Sequence, residues 1–523
     1  MPANTSSRTP NSGRVAVLSD IHIGDNTPTV WYQRSVHEPY LVAALDWIVA
    51  HAEQFQEVVL LGDIIDTWTY PPSVRPPSMA AIIEANPEVL GPAGALSRVV
   101  DAVGTVTYVL GNHDGTVTAA DLDVLRAAVG PLQLGEPVHV RTGRTGKRTV
   151  FSHGHHWGMF NAPDPASRWD TLPVGHFVTR AFSHLMAGYL APGQTVADFK
   201  NQGYPVGFDI GRFLASLGTT RRRNLADLLL TYVVKASGLS EVEPIILPDG
   251  SETTIGEARV VYADLFTRWA AREGSRATAA RAALADDKGD HMAWFAQRLA
   301  LEHSADLVVF GHTHVPIGGL RVSPIRYVNN GFACGSVPDN ATKEFTFTVV
   351  DLAGSSTDGP TADTRAAEDR PSAQVMKVDH ATGAVSVAAP RTLPSVVLAP
   401  AMDFSCYVRI HNDSPAPLRL QRSSATDGHW VVPPPAEIPV GGRGDAWLQD
   451  HGGPAGSAGA FSYRGAGAEL PFTVGCPTFG ANHAAGAGGA FVARTGAGKL
   501  GAAGKVPASG HPLEVIFTVG GQP

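Results

Sequence analysis

The sequence is poor in cysteine, and its three cysteines lie far apart. They are Cys334, Cys406 and Cys476, and no two of them form a Cys-x-x-Cys pair. A zinc ribbon needs such pairs, and a small disulfide-stabilised protein needs several cysteines in a short chain. The spacing therefore argues against both classes and predicts ordinary buried or free thiols.

Long apolar segments are also missing. No stretch approaches the roughly 20 consecutive apolar residues that a membrane-spanning helix needs. Residues 1–13 are polar, contain Ser and Pro, and lack the apolar core of a secretory signal. We therefore expect a cytoplasmic location by default, with secretion by another route left open.

The chain lacks an excess of positive charge. It has 40 Lys and Arg against 48 Asp and Glu, which gives a net charge of -8 and a pI near 6.2. Proteins bind nucleic-acid backbones through clustered Lys and Arg, so a nucleic-acid partner is not expected. The run Arg221-Arg222-Arg223 is a local exception, and is more typical of a solvated helix face than of a phosphate clamp.

The composition that is present is typical of a globular protein. Hydrophobic residues make up 44% of the chain and charged residues 17%. A length of 523 residues exceeds what one hydrophobic core accommodates, so more than one domain is expected.

Five short polar motifs carry the strongest functional signal. In chain order they are Asp20-Ile21-His22, Gly62-Asp63-Ile64-Ile65-Asp66, Gly111-Asn112-His113-Asp114, His153-Gly154-His155 and Gly311-His312-Thr313-His314. Each motif alone is weak, because short His and Asp patterns occur in loops by chance. Their joint occurrence in this order is not expected by chance.

Each motif follows a short apolar run. The runs cover residues 14–19, 57–61, 105–110, 148–152 and 305–310. Such runs are candidates for buried strands, and open α/β sheets place their sites at the carboxyl ends of strands. Residues 39–54 and 96–103 have helical spacing between the early runs, so the strand, helix, strand order predicts an α/β fold.

The residue types in the motifs are suited to a two-metal centre. Two divalent cations about 3.5–4 Å apart can clamp a phosphoryl group and lower the pKa of a shared water. Imidazole, carboxylate and amide groups bind the divalent transition metals Mn, Fe, Zn and Ni. The predicted cofactors are therefore two such ions of undetermined identity, with Asp63 as the candidate bridge between them.

The series resembles the calcineurin-like metallophosphoesterase superfamily over roughly residues 14–350. The resemblance implies two central sheets flanked by helices, an α/β/β/α sandwich, in a domain predicted to span residues 1–390. It assigns metal 1 to Asp20, His22, Asp63 and His314, and metal 2 to Asp63, Asn112, His153 and His312.

The same resemblance assigns roles to three further residues. His113 holds no metal and faces the substrate, where it can stabilise phosphate charge or protonate the leaving group. Asp114 is predicted to orient His113, and Asp66 to support the metal ligands from behind. For His155 and His156, substrate contact and plain structural hydrogen bonding both stay open.

A long insertion separates the fourth motif from the fifth. Residues 175–190, 208–238, 262–272 and 292–301 have apolar residues at helical intervals, which predicts a helical insertion at about 160–300. It is expected to border the metal cleft and shape the substrate pocket, although the helices could simply pad the domain. Residues 31–39 and 70–77 follow metal motifs and should form part of the same rim.

The remaining residues differ in composition. Residues 354–372 are expected to form a mobile loop, residues 374–388 a hairpin, and residues 390–400 a linker. Residues 395–523 contain short β-like runs separated by Gly and Pro, at 404–411, 418–422, 460–463, 470–474 and 513–519. This pattern predicts a C-terminal all-β sandwich.

Four segments of that region resemble the aegerolysin family. They are Gly428-His429-Trp430, the Pro-rich residues 433–439, residues 456–463, and Pro477-Thr478-Phe479-Gly480-Ala481-Asn482. Since several aegerolysins recognise membrane lipids, the resemblance implies a lipid or surface tether. An accessory sandwich that merely packs on the catalytic domain is the alternative.

The expected reaction is hydrolysis of a small or lipid-linked phosphomonoester or phosphodiester by in-line attack of a metal-bound hydroxide, with His113 assisting the leaving group. Protein phosphatases of the superfamily carry Gly-Asn-His-Glu and Gly-Asp-x-Val-Asp-Arg-Gly motifs. This chain has Asp114 and Thr67 instead, which argues against that branch. A nuclease with a basic track along the cleft, and a lipid-binding protein with a vestigial phosphoesterase, are the alternatives.

Overall fold

The computed structural model describes most of the chain outside the first residues. The described residues are 13–169, 171–201, 225–285, 290–331, 345–352, 371–379, 381–396, 403–451, 455–486 and 490–520. Several sequence features lie outside them, namely Arg221 to Arg223, Cys334, His380, most of the predicted helical stretch 208–238 and nearly all of the predicted loop 354–372.

The described part of residues 13–396 contains fifteen strands, thirteen of them in two large sheets. They are β1 Arg14–Leu18, β2 Phe55–Leu61, β3 Val106–Val109, β4 Gln133–Leu134, β5 His139–Thr142, β6 Arg148–Phe151, β7 Ile245–Ile246, β8 Glu252–Thr253, β9 Leu307–Phe310, β10 Ile317–Leu320, β11 Arg326–Asn329, β12 Phe345–Asp351, β13 Ser372–Val378, β14 Val385–Val387 and β15 Arg391–Leu393. Strands β7 and β8 form a separate small hairpin.

The two large sheets face each other. The first has the order β14-β13-β12-β1-β2-β3-β4, and the second has the order β15-β10-β11-β9-β6-β5. Between them lies an apolar layer that includes Val17, Val59, Phe151 and Val309. The predicted two-sheet α/β class is therefore confirmed, and the five apolar runs before the motifs are β1, β2, β3, β6 and β9.

Helices cover the outer faces of both sheets. The described helices are α1 Arg34–Ala50, α2 Met79–Ala85, α3 Pro87–Leu90, α4 Ala95–Val103, α5 Ala119–Val129, α6 Val174–Tyr189, α7 Leu225–Ser237, α8 Ile255–Val261, α9 Leu265–Arg272, α10 Arg276–Ala283 and α11 Met292–Glu302. Among the described residues, no helix combines the length and the apolar character needed to cross a membrane.

Helix α1 begins earlier than the spacing predicts, and Pro39 lies inside it. Proline removes one backbone donor from a helix, so it is normally taken as a boundary. Here the first turn is fixed by side chains instead. Asn26 accepts a hydrogen bond from the Arg34 backbone N–H at 2.8 Å, and the Gln33 backbone N–H donates to His37 Nδ1 at 2.8 Å.

The predicted helical insertion supplies the outer layer of the second sheet. Phe177 of α6, Leu230 of α7 and Phe295 of α11 share one core with Val150 of β6 and Val308 of β9. Helices α7 to α11 therefore largely pad the sheet, whereas the start of α6 reaches the metal motifs through His176, described below.

Residues 403–520 form a separate pair of five-stranded sheets. The strands are β16 Cys406–Asn412, β17 Leu418–Asp427, β18 His429–Val432, β19 Glu437–Ile438, β20 Arg443–Gln449, β21 Ser457–Gly465, β22 Ala468–Cys476, β23 His483–Gly486, β24 Phe491–Thr495 and β25 Leu513–Val519. Their orders are β18-β20-β16-β25-β24 and β19-β17-β21-β22-β23, and Val408, Phe461 and Phe517 lie in the core between them. These strands form the β-sandwich that was expected for this region.

The stretch between the two regions differs from the predicted linker. Arg391 to Leu393 form β15, which pairs in parallel with β10 and extends the second sheet. The run is too short and too polar to be recognised as a strand from its sequence, because its partner supplies the backbone hydrogen bonds. Three residues of the predicted linker 390–400 thus form an edge strand of the second sheet.

The sandwich packs directly on α11 and on Asp306, the residue before β9. The Trp294 and Trp447 rings are 5.2 Å apart, and Gln297 Nε2 donates to the Tyr407 hydroxyl at 3.0 Å. Arg443 Nη1 lies 2.7 Å from Asp306 Oδ1. The contact therefore combines apolar burial with a buried ion pair.

Candidate metal centre

The five motifs meet because the strands before them end at the same edge of the two facing sheets. The Asp20 N–H donates to Gly62 O at 3.1 Å, and the His22 N–H donates to Asp63 O at 2.8 Å. Across the sheets, the His312 N–H donates to Asp20 Oδ1 at 2.9 Å. Two backbone hydrogen bonds and one to the Asp20 carboxylate thus hold the motifs together independently of any bound ion.

Several of these residues adopt a left-handed backbone conformation that non-glycine residues rarely have. The φ angles are 58° at Asp20, 59° at His22, 53° at Asp63, 72° at His312 and 56° at His314. Such conformations are strained and persist only where the surrounding structure enforces them, which is typical of functional sites.

Two glycines beside the motifs are required by close packing. A Cβ at Gly62 would lie 2.5 Å from the His153 ring, and a Cβ at Gly111 would lie 2.3 Å from Asp63 Oδ1. Neither contact leaves room for a side chain, so glycine lets the backbone approach the Asp63 and His153 groups.

The first donor cluster contains Asp20, His22, Asp63 and His314. Their donor atoms all lie within 4.8 Å of one another. His22 Nε2 and His314 Nε2 are 3.2 Å apart, and His314 Nε2 is 3.4 Å from Asp20 Oδ1. Ligands about 2.0–2.2 Å from one cation have mutual separations of this order.

The second donor cluster contains Asp63, His153 and His312, again with donor atoms within 4.8 Å of one another. His153 Nδ1 lies 2.7 Å from the Leu61 carbonyl, to which it can donate, so the other ring nitrogen is turned to the cluster. His153 Nε2 is 3.2 Å from Asp63 Oδ2 but makes no hydrogen bond to any described residue. The buried Asn112 Oδ1 likewise has no hydrogen-bond partner in the part of the chain that the structure describes.

Asp63 is common to both clusters and is almost completely buried. Its Oδ1 accepts the His113 backbone N–H at 2.8 Å, which fixes the carboxylate plane. Burial alone raises the pKa of Asp63, but the charges of His153, His113 and His22 hold it well below its usual value. The carboxylate is therefore ionised and shared.

These observations fit a pair of divalent cations. The donors are carboxylate oxygens, imidazole nitrogens and one amide oxygen, a set that divalent transition metals accept. Two of them, His153 Nε2 and Asn112 Oδ1, are buried without hydrogen-bond partners among the described residues, which is costly unless another group satisfies them. The clusters are compatible with a dinuclear divalent metal centre.

Asp66 lies behind the first cluster and contacts two imidazoles. Its Oδ2 is 3.2 Å from His22 Nδ1, and its Oδ1 is 3.2 Å from His113 Nδ1. Oδ1 also accepts the backbone N–H groups of Trp68 and Thr69 at 2.7 and 3.1 Å. Although burial raises the pKa of Asp66, the two histidines hold it well below its usual value.

His113 is enclosed by aromatic rings. The Trp68 ring is stacked on it with centroids 4.3 Å apart, and Trp31 lies 5.1 Å away. Burial lowers the pKa of His113, but the carboxylates of Asp66 and Asp63 raise it by more, so the net pKa is above the usual value.

Trp68 also contacts the helical insertion. Its ring is 5.5 Å from that of the buried His176 on α6, in a T-shaped arrangement. Sequence reasoning missed Trp68 as part of the site and placed Trp31 only in a rim segment. The available signal was the position of Trp68, two residues after the end of the Asp63 motif.

The structure corrects the position predicted for Asp114. Its carboxylate does not lie behind the His113 ring. It accepts hydrogen bonds from the Ile64 N–H at 2.9 Å, the Gly111 N–H at 2.5 Å and the Tyr108 hydroxyl at 2.5 Å. Asp114 therefore connects the loops that carry the motifs. The carboxylate in contact with the His113 ring is that of Asp66.

His155 and His156 line a cavity of about 330 Å³ beside Asn112. Their rings are 4.0 Å apart. Burial and the charge of His153 lower the pKa of His156 to about 4, and burial lowers that of His155 well below its usual value. Because both pKa values are lowered, His155 and His156 are neutral near pH 7. Glu136 and Asn161 also line it and were not singled out from the sequence.

One family model matches the first part of the chain. Residues 13–205 match the family model of calcineurin-like phosphoesterases. Among curated proteins, none matches this chain.

Two solved structures show weak similarity. A dimetal phosphatase from Danio rerio has 13% sequence identity and a TM-score of 0.26, over 65% of this chain and 93% of its own. The lipid-binding protein Nakanori has 17% identity and a TM-score of 0.15, over 16% of this chain. This chain spans only 44% of the length of Nakanori.

Proposed function

We propose that the chain is a metal-dependent phosphoester hydrolase that cleaves a small or lipid-linked phosphomonoester or phosphodiester, and the match of residues 13–205 to the family model of calcineurin-like phosphoesterases supports this. The observation that supports this most is the pair of buried donor clusters that share Asp63. Phosphoester cleavage with two cations needs such a shared carboxylate, since it offsets the repulsion between them.

Each cation would be held by one cluster. Asp20, His22, Asp63 and His314 would hold the first, and Asp63, Asn112, His153 and His312 the second. The bound cations, of Mn, Fe, Zn or Ni type, would supply charge neutralisation on the phosphoryl group and a lowered pKa for the attacking water. The Leu61 carbonyl and Asp66 would fix the tautomers of His153 and His22.

His113 would act on the leaving group. Its Nδ1 faces Asp66, so Nε2 is the ring atom available to the substrate. An imidazolium at that place can stabilise phosphate charge or give its proton to the departing oxygen. Trp31 and Trp68 would exclude water around it and restrict the ring to one orientation.

A nuclease is less well supported than a small-molecule hydrolase. Nucleic acid needs a track of Lys and Arg beside the site. Among the described residues, the cavity next to Asn112 is lined by Glu136 and by no Lys or Arg. The small size of the cavity favours a compact substrate, and the negative charge of Glu136 disfavours a polyanion such as nucleic acid.

The test is metal analysis combined with a panel of p-nitrophenyl mono- and diesters, assayed with Mn²⁺, Ni²⁺ or Zn²⁺. We expect about two metal ions per chain and hydrolysis by the wild type. Asp63→Asn should lose both metal and activity, whereas His113→Ala should keep the metal and lose rate. A wild type that binds no metal and cleaves none of the esters would sink the proposal and favour a vestigial enzyme.

The C-terminal sandwich is proposed as a lipid or surface tether. The support is its aegerolysin-like sequence and Phe479, which is 81% exposed within one of the resembling segments. Large apolar side chains at exposed loop tips suit insertion at a membrane interface.

A flotation assay tests this tether with the full chain. The wild type should float with liposomes and Phe479→Ser should not, while Val242→Ser, another strongly exposed apolar side chain outside the sandwich, serves as the control. Absence of flotation across neutral, anionic and sphingolipid-rich liposomes would instead favour an accessory sandwich.

A further inference from the structure

Two different environments flank the candidate metal centre. On one side His113 is enclosed by Trp31 and Trp68. On the other side Asn112 opens into the cavity of about 330 Å³ lined by His155 and His156. Among the described residues, neither His113 nor its two tryptophans line that cavity. A phosphoryl group held between the clusters therefore has two separate places for organic substituents.

A monoester would use only one of these places. Its single organic group is the leaving group, and His113 is the residue positioned for that group. The three other phosphoryl oxygens need only cations and hydrogen-bond donors. A cavity of this size beside Asn112 would then hold nothing but water, whereas a diester has a second, retained group that could fill it.

The cavity also has a charge preference. Glu136 is the one charged residue among the described residues that line it, and this residue is exposed. No ion pair or hydrogen bond of Glu136 is found within the described part of the chain. The other lining residues include the apolar Leu134, Pro137 and Pro163. This combination suits a neutral or cationic group with an apolar surface and disfavours a second anion.

We propose that the substrate is a phosphodiester whose leaving alcohol lies beside His113 and whose retained ester group, a small amino alcohol, occupies the cavity against Glu136. The proposal rests on the proposed function and specifies its substrate class. Glu136 is then a specificity-determining residue that takes no part in bond cleavage.

The step balances as a simple hydrolysis. Water supplies the oxygen that bonds to phosphorus, and the bond between phosphorus and the leaving oxygen breaks. The leaving oxygen takes a proton from His113, and the proton lost by the attacking water returns to the imidazole through solvent. The products are the free alcohol and a phosphomonoester that keeps the group in the cavity.

Three chromogenic esters with the same leaving group test the proposal. p-Nitrophenyl phosphorylcholine retains a cationic group, methyl p-nitrophenyl phosphate retains a small neutral group, and p-nitrophenyl phosphate retains none. We expect kcat/KM to be highest for the phosphorylcholine ester and lowest for the monoester.

Variants of Glu136 distinguish a loss of its charge from a general loss of activity. Glu136→Gln should lower kcat/KM for the phosphorylcholine ester about two- to fivefold, mainly through KM, because an exposed charge pair is partly screened. The two other esters should be unaffected, and Glu136→Lys should enlarge the loss. Glu88→Gln, an exposed glutamate on α3 outside the cavity lining, is the matched control and should change nothing.

Binding without turnover gives an independent readout. Saturation-transfer NMR should show contact between the protein and the methyl protons of phosphorylcholine, weakened in Glu136→Gln. Preference for the monoester, or an equal loss on all three esters in Glu136→Gln, would overturn the proposal. If none of the esters is cleaved, the proposed function fails, and the NMR comparison alone then decides whether the cavity binds the amino alcohol.

Discussion

The substitution Asp66→Asn probes how one carboxylate serves two imidazoles. Asp66 Oδ1 accepts two backbone N–H groups, so an asparagine will keep its oxygen there and place its amide nitrogen where Oδ2 was. That nitrogen, a donor, then faces His22 Nδ1 at about the 3.2 Å now seen for Oδ2. Two donors cannot pair, so His22 must lose the contact or move its proton to Nε2.

A proton on His22 Nε2 removes the lone pair that faces Asp20, Asp63 and His314. Loss of such an orienting partner typically costs about 10- to 100-fold in metal affinity, which corresponds to about 1.4–2.7 kcal/mol. We expect this loss for the cation held by the first cluster, and a much smaller change for the one held by His153 and His312.

The assay is a chelator-competition titration that resolves two binding steps, supported by elemental analysis of the bound metal. Asp403→Asn is the matched control, because Asp403 is a buried carboxylate of the sandwich that accepts the Ser405 backbone N–H and lies outside both donor clusters. Its metal affinity should stay within about threefold of the wild type, since Asp403 orients no metal ligand. Unchanged affinity at both steps in Asp66→Asn, with an intact fold by circular dichroism, would refute the reasoning.

Three further perturbations have defined outcomes. Glu57 is buried against Arg141, His139 and Thr107, and although burial raises its pKa, these partners lower it from 4.5 to about 2. A depressed pKa stabilises the fold above the unfolded-state value, so Glu57→Gln should cost about 3 kcal/mol at pH 7. Urea midpoints should show this gap shrinking as the pH falls from about 4.5 towards 2, and a constant gap would contradict the assignment. Among the described residues, Arg443→Met leaves Asp306 with the Arg409 guanidinium at 3.9 Å and the Arg148 backbone N–H at 3.4 Å, and we expect a loss of about 2 kcal/mol or more in urea unfolding followed by tryptophan fluorescence. A loss under about 0.5 kcal/mol would mean that this ion pair contributes little. Trp68→Ala should lower kcat about tenfold or more with metal content unchanged, whereas Trp68→Phe, which keeps a ring against His113, should retain most of the rate. Equal rates in the two variants would show that the stacked ring does not position His113.

Strands were the part of the fold most accessible from sequence. The runs that became β1, β2 and β9 are rich in Val and Leu because both of their faces are covered, by the facing sheet and by helices. Strand β20 was missed, since Arg443 and Asp445 interrupt its apolar pattern. In the structure Asp445 is buried and Arg443 half-buried, and both form ion pairs, with each other and with Asp306 and Arg409. Sequence patterns do not show such distant charge compensation.

Helix α1 and strand β15 were placed imperfectly for a related reason. The first turn of α1 depends on the Asn26 side chain, and β15 depends on the backbone of β10. Both stabilising partners are distant in the chain or belong to another element. Local propensity around Pro39 and Arg391 therefore indicated a later helix start and a loop.

By itself, the sequence determined the chemical types of the donors and the fact that each follows an apolar run, which is enough to predict an α/β fold and a two-metal site. The tertiary structure decided how those donors are arranged. Asp114 is adjacent to His113 in sequence, but neighbouring side chains leave the backbone in different directions, so Asp114 turns to Tyr108 and Gly111. Asp66 reaches both His22 and His113 because β1, β2 and β3 are adjacent parallel strands that end together. The cavity with Glu136 likewise exists only where separate loops meet, since no local pattern records the space between them.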